Sequence, residues 1–136
     1  MLRNNRYRLK PNEIAVIQEM RKSEVRNILV IGDLHEPFCL DGYLEWCKEQ
    51  YKVHNCNQVI FIGDIIDAHG FSYHEPDPDG MSSGLELETA IKKIAKWYEA
   101  FPDADVMIGN HDRMASRKAM SGGIPAAWIR SYNEVL

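Results

Sequence analysis

Asn27-Ile28-Leu29-Val30-Ile31-Gly32 decides the fold. Four consecutive aliphatic side chains without polar alternation are the pattern of a strand buried on both faces. Two further runs resemble it, Val59-Ile60-Phe61-Ile62-Gly63 and Val106-Met107-Ile108-Gly109. Each ends in glycine and passes at once into polar residues. Helical spacing fills the gaps. Asp41 is placed to cap a helix reaching about Tyr51, with Leu44, Cys47 and Tyr51 on one face. Ser83-Gly84-Leu85-Glu86 fits a capping box. It opens a helix whose Leu87, Ile91, Ile94 and Tyr98 form an inward stripe, and Pro102 ends it. Strand, helix, strand, helix, strand predicts an α/β fold, mainly a parallel sheet with crossover helices.

Outward from this centre the chain is less patterned. Pro11, Ile14, Ile17 and Met20 predict a helix over about 12–22. Ala68 to Ser83 is rich in Gly, Pro, Asp, Ser and His, and reads as a long loop of the kind that carries function. Ile124 onward reads as a helix interrupted at Leu136. The 136 residues are one domain's length, and 45% apolar with 26% charged residues exclude wholesale disorder. The apolar runs are too short to cross a bilayer, so no membrane role is expected. The charged N-terminus carries no secretory signal. Three cysteines, Cys39, Cys47 and Cys56, with no C-x-x-C pair argue against a disulfide framework or a structural zinc. They fit a reducing, cytoplasmic setting as small buried groups. Residues 1–26 carry seven Lys/Arg against three acids and read as a basic leader; residues 27–136, with nine against seventeen, form the domain. An acidic body lends no charge support to nucleic-acid binding.

Ligands of open parallel sheets bind beyond the carboxyl ends of the strands. Those ends carry Asp33-Leu34-His35, Asp64-Ile65-Ile66-Asp67 and Asn110-His111-Asp112. Carboxylate oxygen and imidazole nitrogen together suit Mn, Fe, Zn and similar divalent ions. Two such ions can clamp a phosphate and lower the pKa of a bound water. Alone, each motif reads as a turn or a helix cap rather than a metal ligand. All three in order, each behind a glycine-terminated strand, point to a metal site.

Gly32-Asp33-Leu34-His35, Gly63-Asp64-Ile65-Ile66-Asp67 and Gly109-Asn110-His111-Asp112 resemble the first three signature blocks of the calcineurin-like metallophosphoesterases. The resemblance implies that Asp33 and His35 hold a first metal, Asp64 bridges, Asn110 holds a second, and His111 is the catalytic residue beside the scissile phosphate. Asp67 and Asp112 are then supporting groups. It implies metal-assisted hydrolysis of a phosphomonoester or phosphodiester, with divalent ions, Mn2+ foremost and Fe, Zn or Mg as alternatives. Because some members of the family cut nucleic acid, the resemblance leaves a nuclease role open, without support from the charge. Pro37-Phe38 and the long second loop are similar to phage and prophage members, which would place the chain in a host cytoplasm.

The family pattern has two further histidine blocks downstream. The five histidines here are His35, His54, His69, His74 and His111, so neither block is present. The resemblance therefore implies the N-terminal half of an α/β sandwich, incomplete at its C-terminus, with an exposed apolar sheet face and a poor second metal site. The alternatives are a catalytically incompetent metal-binding fragment or interaction module, and a half-enzyme completed by a partner chain or a homo-oligomer that covers the open sheet. His69 and His74 lie on the correct edge but read as solvated loop residues. Trp46, Trp97 and Trp128 read as core or helix-packing residues.

Overall fold

The computed structural model describes residues 10–22, 26–75 and 77–136. Residues 1–9, 23–25 and 76 lie outside the described residues, and with them much of the expected basic leader. After α1 (Pro11–Lys22) the order is β1 (Ile28–Ile31), α2 (Tyr43–Val53), β2 (Gln58–Phe61), α3 (Ser83–Ala100), β3 (Asp105–Val106), α4 (Met114–Ser121) and α5 (Tyr132–Val135). The three strands are parallel, in the order β1-β2-β3. The fold class is α/β, as the strand-helix rhythm predicts.

Both crossovers step in the same direction along the sheet. Right-handed connections then put α2 and α3 on one face. On that face Ile31, Val59 and Phe61 pack with Cys47, Ile94, Trp97 and Phe101. Phe61 is the centre, its ring edge-on to Trp97 at 6.0 Å and near Phe101 at 6.4 Å. The opposite face is open: Ile28 and Val30 are 43% and 55% exposed. The strands are therefore buried on one face rather than both, which corrects the reading of each run as a doubly covered strand. The third strand is also shorter than its apolar run. One further bond, from Met107 N to Phe61 O, continues the ladder, after which the chain turns into Gly109.

Several helix details differ from the sequence expectation. Gly42, in the left-handed region at φ 82°, stands at the start of α2, and Asp41 provides no cap. The cap of α3 is Ser82, whose hydroxyl accepts from Leu85 N at 3.4 Å. The buried line of α3 is Glu86, Ala90, Ile94 and Trp97, rotated from the predicted stripe, and Ile91 is exposed. Glu86 occupies the first position of that line because its carboxylate serves the preceding loop. It accepts from His69 N at 2.7 Å and Gly70 N at 2.8 Å. Beyond residue 112 there is no single interrupted helix. Gly122-Gly123 ends α4, a 3-10 turn spans Ala126–Trp128, and α5 follows.

The tryptophans divide. Trp97 is buried and donates its Nε1–H to Glu36 Oε1 at 3.0 Å, whereas Trp46 and Trp128 are 53% and 83% exposed. Only Trp97 fits the core assignment. Trp46 stacks on Tyr43 at the flank of α2, and Trp128 sits on the tail turn. Cys47 is buried, while Cys39 and Cys56 are half-buried. Desolvation, with the Glu36 carboxylate nearby, pushes the Cys39 thiol up to about 11.

Candidate metal centre

The chain beyond β1 does not leave the sheet at once. His35 N donates to Asp64 O at 3.0 Å and Glu36 N to Ile65 O at 2.9 Å, and Asp67 N returns a bond to Glu36 O at 3.0 Å. The first two loops thus run side by side past the strand ends, with Glu36 and Ile66 in a parallel bridge. Leu34 and Ile65 are the buried anchors that set this register. Their polar neighbours are consequently left at the sheet edge.

The third loop is tied in by one carboxylate. Asp112, 8% exposed, accepts backbone N–H bonds from Asp64 at 2.8 Å, Ile65 at 2.9 Å, Ile66 at 3.2 Å and Gly109 at 2.7 Å. Asp64 Oδ1 accepts from His111 N at 2.8 Å, closing the same loops from the other side. Gly63 and Gly109 let the backbones cross. A Cβ on Gly63, itself at φ 100°, would fall 2.5 Å from Gly109 N, and one on Gly109 would strike the Asp64 carboxylate.

Asp33, His35 and Asp64 all hold left-handed backbone, at φ 53°, 47° and 52°. Each costs of order 1 kcal/mol or more, and such strain collects at functional sites. It turns three side chains from two consecutive loops toward one point. Ligand atoms of Asp33, His35 and Asp64 lie within 4.8 Å of one another, as do those of His35, Asp67 and His111. The two groups share His35. Its Nδ1 is paired with Asp67 Oδ1 at 2.7 Å, while its Nε2 lies 3.8 Å from Asp33 Oδ1. An imidazole whose Nδ1–H is held by a carboxylate offers Nε2 as a ligand. His111 is oriented similarly, its Nδ1 bonded to the Asp67 backbone carbonyl, and its ring meets that of His35 edge-on at 4.6 Å. Asp67 therefore positions both imidazoles. Substituting Asp67→Asn exchanges a charged acceptor for a neutral one. The expected outcome is a 10–100-fold weaker metal affinity, read by calorimetric titration with Mn2+.

Asn110 is exposed and lines a cleft with Tyr73, Arg113 and Arg117. Neither described group of candidate ligands includes His69 or His74. The His69 ring accepts from Asp77 N at 3.4 Å, a bond internal to its loop. His54 follows α2 at the far edge. Two buried acids outside the sequence-derived set support the site. Glu36, 4% exposed, faces Trp97 and lies 3.8 Å from Lys93 Nζ, and Glu86 holds the start of the long loop. Glu86 is legible in hindsight, because it continues the 90-94-97 line back by one turn.

The family model for calcineurin-like phosphoesterases matches residues 26–135. No curated protein and no solved structure matches the chain.

Proposed function

The chain belongs to the calcineurin-like phosphoesterase family, and from that premise we propose that it hydrolyses a phosphomonoester or phosphodiester with the help of divalent metal ions, Mn2+ foremost. The observation that carries the proposal is the convergence of Asp33, His35 and Asp64 in strained backbone, with Asp67 leaving His35 Nε2 available. Two carboxylates and one imidazole are a donor set that a first-row divalent ion accepts. Asp33, His35 and Asp64 would hold one ion, and Asp64 with Asn110 would contribute to a second. When bound, such ions neutralise phosphoryl charge and activate water.

The remaining work falls to the chain's own groups. His111, held through Nδ1 by the Asp67 carbonyl, presents Nε2 at the site edge. With Nδ1–H committed to that carbonyl, the imidazolium form carries a second N–H at Nε2. That group can pass its proton to the departing ester oxygen, leaving the neutral imidazole, or donate a hydrogen bond to the phosphoryl group. Asp112 fixes the backbone of both flanking loops, so His111 keeps its place relative to Asp64. We assign residues 27–136 to the phosphoesterase domain and residues 1–26 to its leader. The three free cysteines support a reducing compartment, the cytoplasm. Pro37-Phe38 and the long second loop support a phage-type member.

A second reading is favoured by the open sheet face. No histidine of this chain follows His111, and Ile28, Val30 and Ile62 are exposed on or beside the sheet. A second segment or a second copy that covers this face would also bring donors to the second ion. The test is hydrolysis of bis-p-nitrophenyl phosphate with added Mn2+, measured against protein concentration. Hydrolysis by the wild type that falls at least 100-fold in Asp64→Asn supports the proposal. A rate per chain that climbs with concentration supports completion by another copy. A folded protein that binds Mn2+ and hydrolyses nothing overturns the enzyme and leaves a metal-binding module.

A further inference from the structure

The chain's acidity is not spread evenly. Residues 27–112 hold sixteen acids against five Lys/Arg, whereas residues 113–133 hold Arg113, Arg117, Lys118 and Arg130 and no acid. Three of these cations lie on or beside α4, directly after the third site loop. Arg113 and Arg117 are one helical turn apart, about 6 Å along the axis. With Asn110, Tyr73, Met120 and Ser121 they line a cleft of about 450 Å3. No carboxylate is among these lining residues. Asn110, directly before His111 in the third site loop, is one of the lining residues.

Tyr73, from the long loop, organises the cations. The Arg117 guanidinium carbon lies 5.2 Å and Lys118 Nζ 4.7 Å from the centre of its ring. Its hydroxyl is 3.5 Å from Ser121 Oγ. Cation–π contact holds two long side chains that would otherwise spread into solvent. Tyr73 is thus a positioning residue for the charge on α4.

The shape of the cleft selects among anions. A pocket for a small nucleotide encloses most of its ligand. Here every lining residue is exposed, so the cleft is open to solvent rather than enclosing. An open cationic track with apolar and aromatic side chains beside it is the arrangement that follows a single nucleic-acid strand. Trp128 adds uncommitted aromatic surface within the same basic stretch, on a turn that packs against α4. We infer that the α4–Tyr73 cleft binds phosphates of a single-stranded nucleic acid flanking the one at the metal edge, with Arg113 and Arg117 as the phosphate contacts. This rests on the phosphoesterase reading for its role in substrate choice. It revises the chain-wide charge argument, which averages an acidic domain with a basic track.

The test reads binding without metal or turnover. The full chain, in EDTA, is titrated into a fluorescein-labelled oligothymidylate 12-mer and followed by anisotropy at several salt concentrations. The wild type is expected to bind. The Arg113→Gln/Arg117→Gln double variant is expected to bind at least 10-fold more weakly. Its salt slope should fall by about 1.4, two phosphate contacts at about 0.7 each for a single strand. A control, Lys48→Gln/Lys52→Gln, removes equal charge from α2 and should change affinity less than 2-fold. Circular dichroism verifies that both variants are folded. Equal losses in the two double variants, or no wild-type binding, overturn the inference. So does competition by thymidine monophosphate as effective, per phosphate, as that of the unlabelled 12-mer, which would indicate a small-nucleotide site. Because the readout excludes metal, strand binding without hydrolysis removes only the proposed activity, and hydrolysis without strand binding removes only the cleft.

Discussion

Gly109→Ala should abolish metal binding and hydrolysis together. The added Cβ would overlap the Asp64 carboxylate and its backbone nitrogen, neither of which is the end of a flexible side chain free to leave. Asp64 Oδ1 accepts from His111 N, and Asp64 N donates to Asp112. Moving Asp64 therefore displaces the groups on both sides of it. A Cβ on Gly63 would likewise fall 2.5 Å from Gly109 N, so the second and third loops already approach closely there and the clash finds no relief by sliding the second loop. The expected cost is about 3 kcal/mol of stability, the upper range for overpacking. Mn2+ affinity should fall below detection by calorimetry. Retention of wild-type affinity within 3-fold would show that the loops are not in backbone contact.

Asp112→Ala should be the most destabilising exchange at the sheet edge. Four backbone N–H groups, from Asp64, Ile65, Ile66 and Gly109, lose their acceptor. Three belong to consecutive residues, and no single neighbour can replace a carboxylate that spans them. Hydrogen bonds to a charged acceptor are worth about 1.5–3 kcal/mol each, and their effects overlap within one network. About 4 kcal/mol in total is a reasonable magnitude, against a typical domain stability of about 5–15 kcal/mol. The melting temperature should fall by roughly 15 °C, given a few degrees per kcal/mol at this size. Asp112→Asn should recover only part, because its amide group would face backbone donors with a donor of its own. A melting temperature within 3 °C of wild type for the alanine variant would remove Asp112 from this role.

The parts of this architecture that depend on local pattern were legible from residue order. The first two strands, α3 and the grouping of Asp33, His35 and Asp64 at one edge follow from apolar runs that stop at glycine. Which face of the sheet is covered does not follow from those runs. Burial on one face and on two give the same unbroken string of Ile, Val and Leu, and the direction of the crossovers decides. The rotation of α3 was missed because Glu86 is counted as polar, yet it is buried by the N–H groups it accepts from. The end of β3 was missed because an apolar run continues beyond the last residue that has a strand to pair with. The cationic cleft was hidden by averaging charge over the domain. It becomes visible only when the loop bearing Tyr73 is folded back onto α4.

The clamp between Glu86 and the backbone of His69 and Gly70 has a consequence for how the long loop can change. It divides the segment into a root fixed beside the site and a tip, residues 77–82, that is exposed to solvent. Extra residues added to the tip carry only a closure entropy of about 0.6 kcal/mol for each doubling of length. The root, and with it Asp64 and Asp67, stays where α3 holds it. Variation by insertion is thereby decoupled from the chemistry, and lineages can diverge in loop length while the ligand geometry stays under separate constraint.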